Sequence, residues 1–141
     1  MSIIENLSEI SIQYFALVRQ LSSKFELTLS QTLILLSISF DGITISDLSE
    51  KLGIDISTMT RNIQRIEKKQ LIKRSPNPND KRSIKLFLSQ RGSTLSNSIN
   101  MDISMSLEKI LEKYDLKTSS QIKNNLENLS WDIYLHRQNL K

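Results

Sequence analysis

Over the first 26 residues, apolar side chains recur at Ile3, Leu7, Ile10, Tyr14, Leu17 and Leu21, in alternating steps of four and three. That spacing puts a stripe along one side of a helix, widened by Ile4, Val18 and Phe25. Ser2 and Glu5 form a capping-box pattern at its start. Little local sequence is available to cover this stripe, so it serves either a core or a dimer seam. Thr28 and Gln31 repeat the pattern and open a helix through about Phe40. Its Leu33, Ile34, Leu36, Ile38 and Phe40 place apolar groups nearly all round, which predicts burial. Asp41-Gly42 ends it, with the glycine as left-handed cap. Thr44 and Asp47 open a short helix over 45–52 that carries Ile45, Leu48 and Leu52 and stops at Gly53.

A fourth helix is expected from Ser57 to Lys69. Ile56, Met59, Ile63 and Ile66 share its inner face, while Ser57, Thr58, Thr60, Arg61, Asn62, Gln64, Arg65 and Lys68 form the other. Leu71-Ile72-Lys73-Arg74 then changes to strand-like residues. Residues 75–80 hold both prolines and are expected to be a loop. Ile84, Leu86 and Leu88 alternate with Lys85 and Phe87, so a second strand closes a hairpin with Lys81 and Arg82 at its tip. Ser89 caps a long helix to about Tyr114 with the stripe Leu95, Ile99, Ile103, Leu107, Ile110 and Tyr114. After a break at 115–117, Thr118 and Gln121 are expected to cap a last helix carrying Ile122, Leu126, Leu129, Ile133 and Leu140.

Composition narrows what such a chain can do. Its 141 residues suit one domain. The 38% hydrophobic content is low for a self-contained globule and leaves room for a partner subunit. The absence of cysteine excludes disulfides, thiolate metal sites and thiol chemistry. The single histidine, His136, is a surface or interface candidate and cannot build a histidine metal site. No paired carboxylates, nucleophile elbow, phosphate loop or metal-ligand cluster occurs, so neither enzyme activity nor a cofactor is expected. The longest apolar run is four residues, Leu33–Leu36, and no basic leader precedes Glu5 and Glu9, so the expected location is the cytoplasm.

Charge is concentrated rather than spread. From Arg61 to Arg91 ten basic residues stand against Glu67 and Asp80, a local net charge of +8 in a chain whose total is +4. A basic island in an otherwise acidic chain fits a polyanionic partner. Two helices joined by a short turn at 53–55 and followed by a basic hairpin describe a winged helix-turn-helix, with the helix at 57–69 sized for the major groove of double-stranded DNA.

The run Ile63-Gln64-Arg65-Ile66-Glu67-Lys68-Lys69-Gln70-Leu71-Ile72-Lys73-Arg74 resembles the recognition-helix end and first wing strand of MarR-type regulators. Residues 80–92, from Asp80-Lys81-Arg82 to Ser89-Gln90-Arg91-Gly92, resemble that family's wing signature and following helix start. Gln70 stands where the family commonly has glycine, Lys81 replaces the first wing arginine and Ser89 replaces threonine. Lysine at 81 keeps the charge and loses the bidentate fork.

The resemblance implies a mainly α fold with a small β-wing: a winged helix-turn-helix over 28–88, with dimerisation helices at 1–26 and 89–141, all within a single domain over 1–141. It also implies a homodimeric transcriptional repressor on a palindromic operator, released in many members by a small aromatic ligand. A protein–protein adaptor is the alternative. Carried over by position, Ser57, Thr58, Thr60 and Arg61 lie where base contacts are made, with helix capping the other role for Ser57 and Thr58. Gln64 and Arg65 would touch base edges or phosphate, with a solvated face pairing with neighbours the other role for Arg65 and Lys68. Lys73, Arg74 and Lys85 are phosphate contacts or solvated strand residues. Asp80 resembles the wing acid that orients an arginine; Arg82 is its partner or a minor-groove finger, with Lys81 beside it. Tyr14, Leu17, Leu33, Leu36, Phe40 and Trp131 are candidate ligand-pocket residues, and each is equally a candidate for core. Trp131 and Tyr134 also suit an interface.

Overall fold

Side-chain caps set where the helices begin. The computed structural model describes residues 1–141. Helix α1 (Ile3–Ser22) and helix α2 (Leu29–Ser37) each start in a complete capping box, Ser2 with Glu5 and Thr28 with Gln31. A 3-10 turn (Ser23–Phe25) separates them and ends at Glu26 in the left-handed region, whose carbonyl accepts from Lys69 Nζ at 2.5 Å. Strand β1 (Ile43–Thr44) leads into α3 (Ile45–Leu52), where the Thr44 hydroxyl accepts from the Asp47 N–H. Gly53, at φ +64°, closes α3 as a left-handed cap. Then come α4 (Ile56–Lys68), β2 (Ile72–Asn77), β3 (Asp80–Leu88), α5 (Gln90–Leu111) and α6 (Leu116–Asn139).

Helix α2 stops three residues short of the expected end. A turn forms instead, with the Gly42 N–H donating to the Ser39 carbonyl and Gly42 at φ +78°. Phe40 sits on the outside of this turn with its ring fully exposed, not in the core as its apolar neighbours suggested. A Cβ at Gly42 would lie 2.7 Å from the Phe87 ring, so the turn is pressed against the sheet. The sheet is antiparallel in the order β1-β3-β2. The segment expected as a loop, 75–80, is mostly strand, leaving Pro78-Asn79 as the turn. Pro76 is tolerated because β2 is an edge strand and a register irregularity follows at Pro76/Asn77.

The chain divides into two units, residues 1–103 and 104–141. The first is built on Val18, Ile34, Leu35, Leu48, Met59, Ile63, Ile66, Leu86 and Ile99, all with no accessible surface. Ile56 departs from the expected inner face of α4 and is 58% exposed, because it lies in the first turn, ahead of the residues that meet the core. In the second unit α6 starts at Leu116. Asp115 is its cap, accepting from the Thr118 N–H and hydroxyl at 2.9 and 2.8 Å, so Thr118 is inside the helix rather than its cap. A Lys123–Glu108 ion pair and a Ser119 hydroxyl bond to the Leu111 carbonyl tie α6 to the end of α5. No residue of α6 is buried.

One junction fastens the end of α4, the root of the hairpin and the start of α5. The Ser89 N–H donates to the Leu71 carbonyl at 3.0 Å, and the Ser89 hydroxyl donates to the Gln70 carbonyl at 2.7 Å. The same hydroxyl accepts from the Gly92 N–H at 2.9 Å, capping α5. A Cβ on Gly92 would lie 1.8 Å from the Leu71 carbonyl oxygen, so only glycine allows this approach. Gln70 occupies the left-handed region at φ +60°, where the missing glycine would be at ease.

Two substitutions test this junction by urea unfolding. Gly92→Ala forces two backbones apart and is expected to cost about 3 kcal/mol. Gln70→Gly relieves the left-handed strain and is expected to raise stability by about 0.5–1 kcal/mol after the extra unfolded-state freedom of glycine is counted. An unchanged unfolding midpoint in Gly92→Ala contradicts the packing described.

Candidate nucleic-acid interface

Helix α4 divides cleanly by burial. Met59, Ile63 and Ile66 are wholly buried, while Ser57, Arg61, Gln64 and Arg65 are exposed and Thr58 and Thr60 are half-buried. All six expected recognition residues therefore share the outward side of one helix. Its start is held by Asp55, which the sequence reading left within the turn. Asp55 Oδ1 accepts from the Thr58 N–H at 2.9 Å and from the Ser57 hydroxyl at 2.6 Å, and Oδ2 accepts from the Thr58 hydroxyl at 2.7 Å. Neither Ser57 nor Thr58 is the cap; both hydroxyls donate inward and offer lone pairs outward. One of those on Thr58 accepts from Arg61 Nη2 at 3.4 Å. The Thr60 hydroxyl donates to the Ile56 carbonyl at 2.8 Å. The Asp-x-Ser-Thr spacing was the available signal for the cap.

These bonds hold the Asp55 carboxyl well below the ordinary value of 3.8, with the Ser57 hydroxyl the largest cause and the Thr58 N–H next. Asp55 is therefore ionised wherever the protein is folded near neutrality. Its charge complements the positive end of the α4 dipole.

The wing is ordered by short-range bonds at its turn. Asn77 Oδ1 accepts from the Asn79 N–H, Asn77 Nδ2 donates to the Ser83 hydroxyl, and that hydroxyl donates to the Asp80 carbonyl. Asp80 Oδ1 accepts from the backbone N–H of Arg82 at 3.0 Å, so this acid fixes the Arg82 main chain rather than its guanidinium. Lys73, Lys81 and Arg82 are exposed. Two of the expected wing cations are engaged within the protein. Lys85 Nζ donates to the Asp41 carbonyl at 3.2 Å. Arg74 pairs with Glu67, which keeps its guanidinium charged still more firmly than usual. Glu67 as a partner could not be found from sequence, since the pair spans the turn at 69–71.

The candidate pocket residues do not form one group. Tyr14, Leu17, Leu33 and Leu36 are half-buried in the first unit, Phe40 is fully exposed, and Trp131 belongs to the second unit, stacked on Tyr134 at 5.3 Å. An open cavity of about 550 Å³ in the first unit lies elsewhere, with Lys24, Phe25, Arg91 and Leu95 among its lining residues. No group of three or more His, Asp or Glu residues is placed to hold a metal ion, and no helix is long and apolar enough to cross a membrane.

The MarR family model matches residues 27–84. The multiple antibiotic resistance protein MarR of Escherichia coli K12 is 30% identical over 98 residues, 69% of this chain and 68% of that protein. The chain belongs to the MarR family. MarR of Salmonella typhimurium is 36% identical over 74 residues, 52% of this chain and 51% of its own, so the chain spans about half the length of that relative. A crystal structure of a mutant E. coli MarR complexed with operator DNA superposes with a TM-score of 0.70 at 22% identity, covering 89% of this chain and 91% of that one. The MarR winged-helix fold thus accounts for the hairpin, the short α3 and the exposed α4 together.

The Asp55 cap predicts a pH dependence with a definite sign. A carboxyl depressed in the folded state stabilises fully above its unfolded value of 3.8 and loses that contribution as pH falls through the lower folded value. Asp55→Asn is expected to be less stable than wild type at pH 7, and the two unfolding curves should converge as pH is lowered below 3.8. A gap that stays constant across this range rules out the ionised cap as its source.

Proposed function

We propose that this chain is a sequence-specific DNA-binding transcriptional regulator, a repressor acting as a homodimer on a palindromic operator. The observation that supports it best is the outward side of α4. Arg61, Gln64 and Arg65 project from a helix whose inner side is fully buried, and the one acid within that helix, Glu67, is already paired. Such a surface presents donors to base edges with no exposed carboxylate between them. Arg61 is the residue matched to guanine, whose O6 and N7 a guanidinium can grip together. Lys81 and Arg82 at the wing turn suit the neighbouring minor groove or backbone. The crystallised operator complex of the E. coli relative lends this reading support.

The proposed division of labour gives DNA contact to 28–88 and dimerisation to 1–26 and 89–141. Helix α6 buries nothing, yet carries Leu126, Trp131, Ile133 and Tyr134 at 44–58% exposure, and α1 leaves Ile3, Ile4 and Ile10 at 54–70%. Apolar surface of that extent is what an obligate partner covers.

Two measurements check this. Sedimentation at micromolar concentration should give a dimer; a monomer overturns the assembly. On an operator selected from random duplexes, Arg61→Ala should cost about 1–3 kcal/mol per half-site and relax preference at one base pair. Arg82→Ala should weaken binding with less change in preference. If Arg61→Ala weakens every sequence equally, Arg61 holds phosphate. If neither variant changes DNA affinity, this face serves a protein partner.

A further inference from the structure

Helix α4 and the wing are joined by three residues, Lys69 to Leu71, of which Gln70 is left-handed. Across this joint Arg74 grips Glu67 with two prongs, Nε to Oε1 at 2.5 Å and Nη2 to Oε2 at 3.3 Å. Both side chains are about two-thirds covered, at 35% and 29% exposure. Strand register shows why the arginine points there. Arg74 lies on the same face of the hairpin as Ile72 and opposite Leu86, both buried, whereas Lys73 and Ser75 lie on the other face with Phe87 and Lys85. Alternation along β2 thus directs position 74 toward α4 and position 73 away from it.

We propose that Arg74 is a positioning residue and not a DNA contact: the Glu67–Arg74 fork fixes the angle between the recognition helix and the wing. This rests on the DNA-binding reading above and assigns a specificity role within it. Base-reading Arg61 and wing-tip Arg82 stand on the two arms of the joint, so both meet one duplex only if that angle is held. The Arg74 charge is matched by Glu67, so the pair adds nothing net to attraction for phosphate. A lysine at 74 keeps the charge and cannot make the fork.

The test uses the full chain, the selected operator and a scrambled duplex, over several salt concentrations. Glu67→Gln removes a negative charge from the DNA-facing part of the molecule. Charge alone therefore makes it bind every duplex more tightly, whereas loss of the fork makes it bind the operator about tenfold more weakly while the scrambled duplex is held at least as well as before. Arg74→Lys should lose operator affinity as Arg74→Gln does, with the wild-type salt slope in both. Exchanging the pair, Glu67→Arg with Arg74→Glu, should restore part of the operator affinity. Thermal unfolding followed by circular dichroism separates these effects from loss of fold, and Arg74→Lys, which keeps charge and stem, decides if the other variants unfold. The inference is overturned if Glu67→Gln binds the operator as well as wild type. It is equally overturned if Arg74→Lys is unimpaired while Arg74→Gln lowers the salt slope by about 0.9, as a lost phosphate contact does. A wild-type protein that binds no duplex overturns instead the functional reading beneath it.

Discussion

The approach of Gly92 to the Leu71 carbonyl is the contact on which the first unit turns. Four segments meet there within a few residues: the end of α4, the start of β2, the exit from β3 and the first turn of α5. Two backbones can come this close only where one lacks a Cβ. Ser89 then satisfies three groups at once, binding the Gln70 and Leu71 carbonyls and the Gly92 N–H. Because the junction is made of backbone and a single hydroxyl, it is rigid where the attached side chains are not. The wing and α4 are thereby hung from one point.

Much of this was legible in the sequence because the decisive signals are local. Capping pairs three residues apart located the starts of α1, α2 and α3, and period-3.6 spacing identified Met59, Ile63 and Ile66 as the inner side of α4. What escaped depends on contacts distant in sequence or on competition between near-equivalent local choices. Phe40 looked buried because its neighbours are apolar, but Gly42 turns the chain before the helix can include it. Strand β1 has two residues and exists only because β3 offers it an edge. Asp115 and Thr118 are both competent caps, and the carboxylate, with two oxygens, took the role. The division of α4 into a buried and an outward side was legible by periodicity alone; the Asp-x-Ser-Thr spacing signals the Asp55 cap, but three polar residues there compete for one helix start.

The basic island needs the same distinction. Sequence counts cations, but structure decides which of them are free. Arg74 is matched by Glu67, Lys85 and Lys69 bind backbone carbonyls, and Lys24 outside the island pairs with Asp102. Those left facing outward, Arg61, Arg65, Lys68, Lys73, Lys81, Arg82 and Arg91, come from α4, the two wing strands and the first turn of α5. The field offered to a polyanion is therefore narrower than the charge count suggests, and it is aimed.

Strand β2 carries a further consequence. It is the outer strand of an open sheet, and an open edge is a template on which another copy can pair, the first step toward fibrous aggregation. Here the edge is blunted. Pro76 has no N–H to give, the register slips beside it, and Lys73 projects from the strand in solvent. Proline and charge are the devices by which natural sheets refuse such pairing. The sequence feature that first looked like a loop thus keeps the wing from zipping onto its neighbours when no other surface covers it.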